Sequence, residues 1–130
     1  MAKNKDAKEK VMEFQLLQQQ LEQMQKYLEE IELKLLEFHK TKESLSEMAS
    51  LRSGSEAFIP LAQGIFAQGK IDETSTLLVN VGADIAVTKT IPQVKELIDK
   101  QVTELSEVKE QLDGNVLQLT QRLHALLEEE

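Results

Sequence analysis

A segment in the middle of the chain has part of the pattern of a phosphate-binding loop. Residues 64–70 read GIFAQGK, which matches G-x-x-x-x-G-K. The full motif needs Ser or Thr after the lysine, whose hydroxyl holds magnesium, and a helix after that. Here Ile71 follows Lys70, the next residues do not favour a helix, and apolar residues alternate within the segment. We therefore predict a glycine-containing β-hairpin here and no cofactor.

The two histidines are the other residues that could carry chemistry. His39 and His124 have no metal-ligating residues at helical spacing around them, and the chain has no cysteine. Zinc sites and catalytic sites need several convergent side chains. The many carboxylates follow the solvated faces of helical patterns rather than a pocket. We predict two surface histidines, no metal site, no catalytic residue and no enzyme activity.

The composition limits the classes of partner and location. The formal net charge is −8 at pH 7, so the chain has no general attraction for nucleic acid or for anionic lipid. No apolar run approaches the length that spans a membrane. The absence of cysteine fits a reducing compartment. We expect a cytoplasmic protein with no nucleic-acid partner and no membrane association.

The residues between the two flanks form a β pattern. Apolar side chains alternate with period two in four short runs, as in Ala57, Ile59 and Leu61, and turn residues separate the runs. We predict two hairpins, with a first turn at 62–64 and a second, two-residue turn at Gly82 and Ala83. The predicted strands are residues 56–61, 65–71, 76–81 and 84–89.

Both faces of these hairpins carry apolar residues, which a small isolated hairpin cannot bury. Phe58, Phe66 and Leu78 alternate with the main apolar stripe and so lie on the opposite face. Isolated hairpins are marginally stable, and their bare edges pair with other chains. We therefore predict that strands from several subunits join into one sheet or barrel. The predicted interface residues are Phe58, Ile59, Ile65, Phe66, Leu77, Val79, Val81 and Ile85.

The flanks on either side have the heptad pattern of coiled coils. In the first flank, position a is apolar at 7, 14, 21, 28 and 35 and position d at 17, 24, 31, 38 and 45. In the second, position d repeats from Ile91 to Leu126 without a gap, and Thr90 with Gln93 forms a capping box. We predict helix 1 at about 6–53, with Gly54 closing it, the hairpins at about 55–90, and helix 2 at about 91–128.

The two seams pair most simply with each other, as an antiparallel helical hairpin. That pairing brings the start of helix 1 close to the end of helix 2, where several apolar residues lie outside the seam. Loose apolar residues at a free tip can hold unfolded chains, and methionine adds adaptability. The alternatives are ordinary scatter of apolar residues on the surface and helix–helix contact with another subunit. The predicted client-binding tip residues are Val11, Met12, Leu16, Leu123 and Leu127.

The order helix, two hairpins, helix resembles the alpha class of prefoldin subunits, of the archaeal type. The stretch FIPLAQGIFAQGKID…TLLVNVGADIAVTKT resembles that family most, with Pro60, Gly64, Gly69 and Gly82 punctuating its strands. The resemblance covers the whole chain, residues 1–130, as a single domain. It implies an α+β fold whose hairpins join an intersubunit β-barrel.

The resemblance also implies a function. Prefoldin alpha subunits combine with beta-class subunits into a hetero-hexamer, a molecular chaperone that holds unfolded client proteins without ATP. The complex delivers these clients to a group II chaperonin. A structural coiled-coil adaptor with one fixed partner and a self-assembling, filament-forming relative are the alternatives.

Overall fold

The computed structural model describes residues 2–128, and it describes side chains from residue 6 onward. Helix α1 spans Ala2–Ala49 and helix α2 spans Ile91–Glu128. Between them lie β1 (Ser55–Ala62), β2 (Ile65–Ile71), β3 (Thr76–Gly82) and β4 (Ile85–Thr90). This element order confirms the fold class predicted from the sequence. The chain divides into two compact units, one of residues up to 36 and from 102 onward, the other of residues 37–101.

The first unit is an antiparallel pair of helical segments. Glu13 near the start of α1 accepts from Arg122 near the end of α2, and Lys109 Nζ lies 3.8 Å from Glu32 Oε1. Between these ion pairs, the a and d residues of both helices are buried or half-buried, and Ile31 is only 3% exposed. Ala7 is exposed, so the buried seam begins at Phe14 rather than at position 7. The heptad spacing thus predicted the buried face correctly from that residue onward.

The second unit contains the end of α1, the start of α2 and both hairpins. Lys42 donates to Asp99, and Lys95 Nζ donates to Ser46 Oγ at 2.9 Å, so the two helical segments of this unit are antiparallel. These lysines occupy seam positions, where their stems can cover apolar surface while the ammonium groups reach solvent. Buried apolar residues from both helices complete this part of the core: Leu45, Ile91 and Ile98.

Helix α1 ends earlier than the sequence indicates. The predicted end lay near 51–53, but the last helical residue is Ala49. The amides of Ser50 and Leu51 donate to the carbonyls three residues back, and Ser50 Oγ also donates to Glu47 O at 2.7 Å. These bonds tighten the last turn and satisfy its free carbonyls. Gly54 has a positive φ of 83°, but its amide donates to Ile71 O, so it belongs to the first hairpin.

The hairpins form two separate antiparallel two-stranded sheets, β1–β2 and β3–β4. The second turn differs from the prediction, because its central residues are Ala83 and Asp84 rather than Gly82 and Ala83. A bulge between Asn80 and Gly82 places Gly82 opposite Ile85, which leaves these two residues in the turn. Both have positive φ, 50° and 59°, as a type I′ turn requires. The first turn is Gln63–Gly64, so residue 62 is the end of β1.

Helix α2 begins with the predicted capping box. The Thr90 amide donates to Gln93 Oε1 at 2.9 Å, and the Gln93 amide donates to Thr90 Oγ1 at 3.3 Å. These two bonds satisfy amides that have no partner within the helix. Pro92 is tolerated in this first turn, where its missing amide hydrogen is not needed. The start of α2 was therefore predictable to within one residue.

Candidate functional surfaces

The first hairpin presents two apolar faces of different character. Strand pairing sets Phe58 against Gln68 and Pro60 against Phe66 on one face, which we call the open face of this hairpin. Phe58 is 67% exposed and Phe66 is 60% exposed. Aromatic side chains with this exposure place a large apolar area in contact with water, which is unfavourable. The open face is therefore the most exposed aromatic surface of this hairpin.

The opposite face of the first hairpin is closed in part by its own residues. Ala57 pairs with Gly69, and Ile59 with Ala67. A Cβ added at Gly69 would lie 2.7 Å from Ile59 Cδ1, so the isoleucine lies over the position where a larger residue would have its side chain. A larger residue at position 69 would therefore require the flexible end of the Ile59 side chain to move. A cavity of about 540 Å³ lies against the same part of the hairpin, lined by Glu56, Ala57, Phe58, Gln68, Gly69 and Lys70.

The second hairpin has the same alternation with smaller residues. Val79 pairs with Val87 and Leu77 with Lys89, and all four side chains are half-buried. Leu78 pairs with Thr88 on the other face and is exposed. Of the eight interface residues predicted from the sequence, Leu77 and Val79 are half-buried and the rest are exposed.

Two exposed apolar residues of the hairpins were not among the predicted interface residues. Leu61 and Leu78 are both highly exposed on the hairpins. The alternation in the sequence marks both positions as apolar strand residues, but it does not reveal how exposed they are. Leu61 is the extra residue of a bulge in β1, because the pairing shifts between Pro60 and Ala62. Bulges re-aim side chains, and no alternation rule predicts their direction.

The glycine-rich segment at 64–70 is a turn and a strand. Gly64 ends the first hairpin's turn, and the remaining residues, with Lys70, lie in β2. A phosphate-binding loop instead wraps its backbone amides around the phosphates and leads into a helix. The prediction of a hairpin here is therefore confirmed. The connector that follows is held by Ser75, whose hydroxyl and amide both donate to Glu73 and keep the pKa of that carboxyl below its ordinary value.

The predicted tip residues lie in the first unit, and we call them the terminal cluster: Val11, Met12, Leu16, Leu123 and Leu127. Arg122 donates to Glu13 Oε1 from Nε at 3.0 Å and from Nη2 at 2.9 Å, which joins the two helices next to Met12 and Leu123. All members are exposed except Leu123, which is half-buried in the seam. Four of the five predicted tip residues are thus exposed apolar side chains, and the fifth lies half-buried in the seam.

The histidines have no special environment. His39 Nε2 lies 3.2 Å from Glu43 Oε1, one turn further along α1, and His124 is exposed on α2. Within the described part of the chain, no three residues of the types His, Cys, Asp and Glu are grouped to hold a metal ion. Among the same residues, neither helix is long and apolar enough to cross a membrane.

Comparison with known proteins gives one consistent family. A family model described as prefoldin subunit matches residues 17–130. Prefoldin subunit alpha of Archaeoglobus fulgidus is 26% identical over 129 residues, which cover 99% of this chain and 94% of that protein. Prefoldin subunit alpha 1 of Thermococcus kodakarensis is 32% identical over 100 residues, which cover 77% of this chain and 68% of that protein.

A solved structure has the same fold. The cryo-EM structure of filamentous PFD from Methanocaldococcus jannaschii matches with a TM-score of 0.77. The match covers 95% of this chain and 99% of that chain, at 15% sequence identity. At this identity the likeness concerns the fold of the subunit.

Proposed function

Because the chain belongs to the prefoldin family of chaperone subunits, we propose that it is a subunit of an ATP-independent holdase. The complex would capture unfolded client proteins and deliver them to a group II chaperonin in the cytoplasm. Its assembly partners would be beta-class prefoldin subunits, in a hetero-hexamer. The observation that carries this proposal is the pair of hairpins with exposed apolar residues on both faces, which a single chain leaves uncovered.

The hairpins are proposed as the assembly surface. Ile59→Asp and Val79→Asp each place a carboxylate among apolar strand residues, where burial against a partner would leave it unpaired at a cost of several kcal/mol. We expect both variants to lose assembly with a beta-class subunit while far-UV circular dichroism keeps its helical signal. Gln19→Asp on an exposed position of α1 is the control, since it adds the same charge away from the hairpins.

Assembly is measured by sedimentation velocity of each protein alone and mixed with a beta-class subunit. Full assembly of both hairpin variants would refute the shared sheet. The same experiment separates the alternatives, because a filament-forming chain gives very large species without any partner. A hexamer subunit gives a defined larger mass only in the mixture.

The terminal cluster is proposed as the client-binding surface. Its exposed apolar residues are free to contact many sequences, as weak and promiscuous holding requires. Changing the four exposed members, Val11, Met12, Leu16 and Leu127, to Ser should weaken the suppression of aggregation of a chemically unfolded reporter enzyme. The matched control changes four exposed apolar residues of the same unit outside the cluster to Ser: Tyr27, Leu33, Val108 and Leu117.

Two results decide between a holdase and an adaptor. A holdase protects several unrelated unfolded proteins, and its cluster variant protects them less than the control variant does. An adaptor protects none of them and binds one target at a fixed ratio. If the cluster and control variants lose protection equally, the terminal cluster is not the client-binding surface. That result would not contradict the proposed holdase function.

A further inference from the structure

The methionines of this chain differ sharply in exposure. Met12 is 69% exposed on α1, whereas Met24 and Met48 are half-buried, and Met1 lies outside the described residues. Met12 is also flanked by exposed apolar neighbours of the terminal cluster, Val11 and Leu16. A thioether in this position is open to small oxidants in water, and it contributes apolar surface that a bound client would cover.

We propose that Met12 is a site of oxidation by hydrogen peroxide, and that its oxidation lowers client binding by the terminal cluster. The proposal rests on the client-binding role proposed above. In the reaction the thioether sulfur attacks one peroxide oxygen, so that an S–O bond forms and the O–O bond breaks. The other oxygen leaves with both protons as water. The sulfur is oxidised by two electrons to the sulfoxide, and the peroxide is reduced.

Because of the position of Met12 on the helix, its oxidation changes the exposed surface and leaves the packing of the helices intact. It occupies heptad position f, and the seam residues Phe14 and Leu17 lie on the other side of α1, half-buried. A sulfoxide at Met12 therefore changes an apolar exposed side chain into a polar one without entering the helix pair. Met24 occupies a d position inside the seam, so its oxidation would disturb packing instead.

Matched variants of the 130-residue chain distinguish a loss of client binding at Met12 from a loss of packing at Met24. Met12→Leu keeps an apolar side chain of similar volume that cannot be oxidised. Met24→Leu is the control, because it removes a different methionine and leaves Met12 in place. Met12→Gln imitates the polarity of the sulfoxide without any oxidant. Each protein is treated with hydrogen peroxide, the oxidised residues are found by peptide mass spectrometry, and the suppression of reporter aggregation is then measured.

We expect Met12 to oxidise faster than Met24 and Met48 in the folded protein. In the wild type and in Met24→Leu, the chaperone concentration for half-maximal protection should rise, by about fourfold for each methylene-sized group that the client no longer covers. Met12→Leu should be insensitive to peroxide, and untreated Met12→Gln should already have the higher value. Reduction by methionine sulfoxide reductase, with a dithiol that becomes a disulfide, should restore the wild type.

Slower oxidation of Met12 than of Met24 would overturn the proposed site. An equal loss of protection in Met12→Leu would overturn its role in client binding. An untreated wild type that protects no reporter would instead refute the proposed function. The oxidation rates come from mass spectrometry and do not depend on chaperone activity, so these failures are distinguishable.

Discussion

Two neighbouring residues of α1 allow a direct test of the helical seam. Ile31 is 3% exposed, and Leu33, two residues further on, is 63% exposed on the other side of the helix. Ile31→Ala removes about three methylene-sized groups, worth about 2.4 kcal/mol at 0.8 kcal/mol each. The better helix propensity of alanine returns up to about 0.7 kcal/mol. The expected loss is therefore about 2 kcal/mol, near the low end for core truncations because a two-helix seam can close over a small gap.

The control Leu33→Ala removes a side chain of equal size from an exposed position, and it should change the free energy of unfolding by no more than about 0.5 kcal/mol. Urea unfolding, followed by far-UV circular dichroism at one fixed protein concentration, measures both variants. The fixed concentration matters because assembly makes apparent stability concentration-dependent. In thermal unfolding, the loss at Ile31 corresponds to about 6–12 °C for a chain of this size. Equal losses in the two variants, or a larger loss at Leu33, would refute the assigned seam.

Three further predictions concern the glycines, the ion pair beside the terminal cluster and the glycine-rich segment. Gly82→Ala should lower the free energy of unfolding in urea by about 1–2 kcal/mol, because the φ of 113° at this position is strained for alanine. Gly114→Ala should raise it by up to about 1 kcal/mol, because Gly114 lies exposed within α2 and alanine favours a helix more than glycine does. Losses of similar size at both glycines would contradict the backbone argument. A double-mutant cycle on Glu13 and Arg122 should give a coupling of about 0.2–1 kcal/mol that shrinks as salt is added; salt-independent coupling would show that the contact is not mainly ionic. Aggregation suppression should be the same with ATP, without ATP and in Lys70→Ala. Saturable ATP binding that this variant loses would overturn the prediction that residues 64–70 hold no nucleotide.

The buried face of both helices and the start of α2 could be predicted from the sequence, whereas the end of α1 could not. The heptad pattern fixes which side of each helix is buried, because a spacing of three and four residues keeps one stripe facing a partner. From Phe14 to Leu45, and again from Ile91 to Leu126, every residue at an a or d position is buried or half-buried. The capping box at Thr90 adds a local hydrogen-bond pattern that needs no tertiary context.

The ends and turns were harder to predict, because neighbouring positions offer similar chemistry. The segment Gly82–Asp84 permits two placements of a two-residue turn, and a bulge before Gly82 decides between them. The glycine suggested the earlier placement, since glycine tolerates positive φ, yet Ala83 and Asp84 adopt positive φ here. Similarly, hydrogen bonds from Ser50 and Leu51 end α1 before the glycine that resembled its cap. A single sequence does not rank such alternatives, because each placement offers acceptable turn or capping residues.

The sequence predicts which residues of the hairpins are apolar, but it does not predict how the two faces of a hairpin differ in exposure. Alternation assigns Phe58 and Ile59 to opposite faces of a strand, and it gives no reason to treat the two faces differently. The difference comes from across the sheet, where Gly69 lets Ile59 lie over β2, while the residue opposite Phe58 is the polar Gln68. On one face, Ile59 is therefore partly covered by its contact with β2. On the other face, the aromatic side chains stay exposed to water. If a partner subunit covers the hairpins as proposed above, Phe58 and Phe66 are the aromatic side chains of the first hairpin that it would remove from water, and their burial would favour assembly.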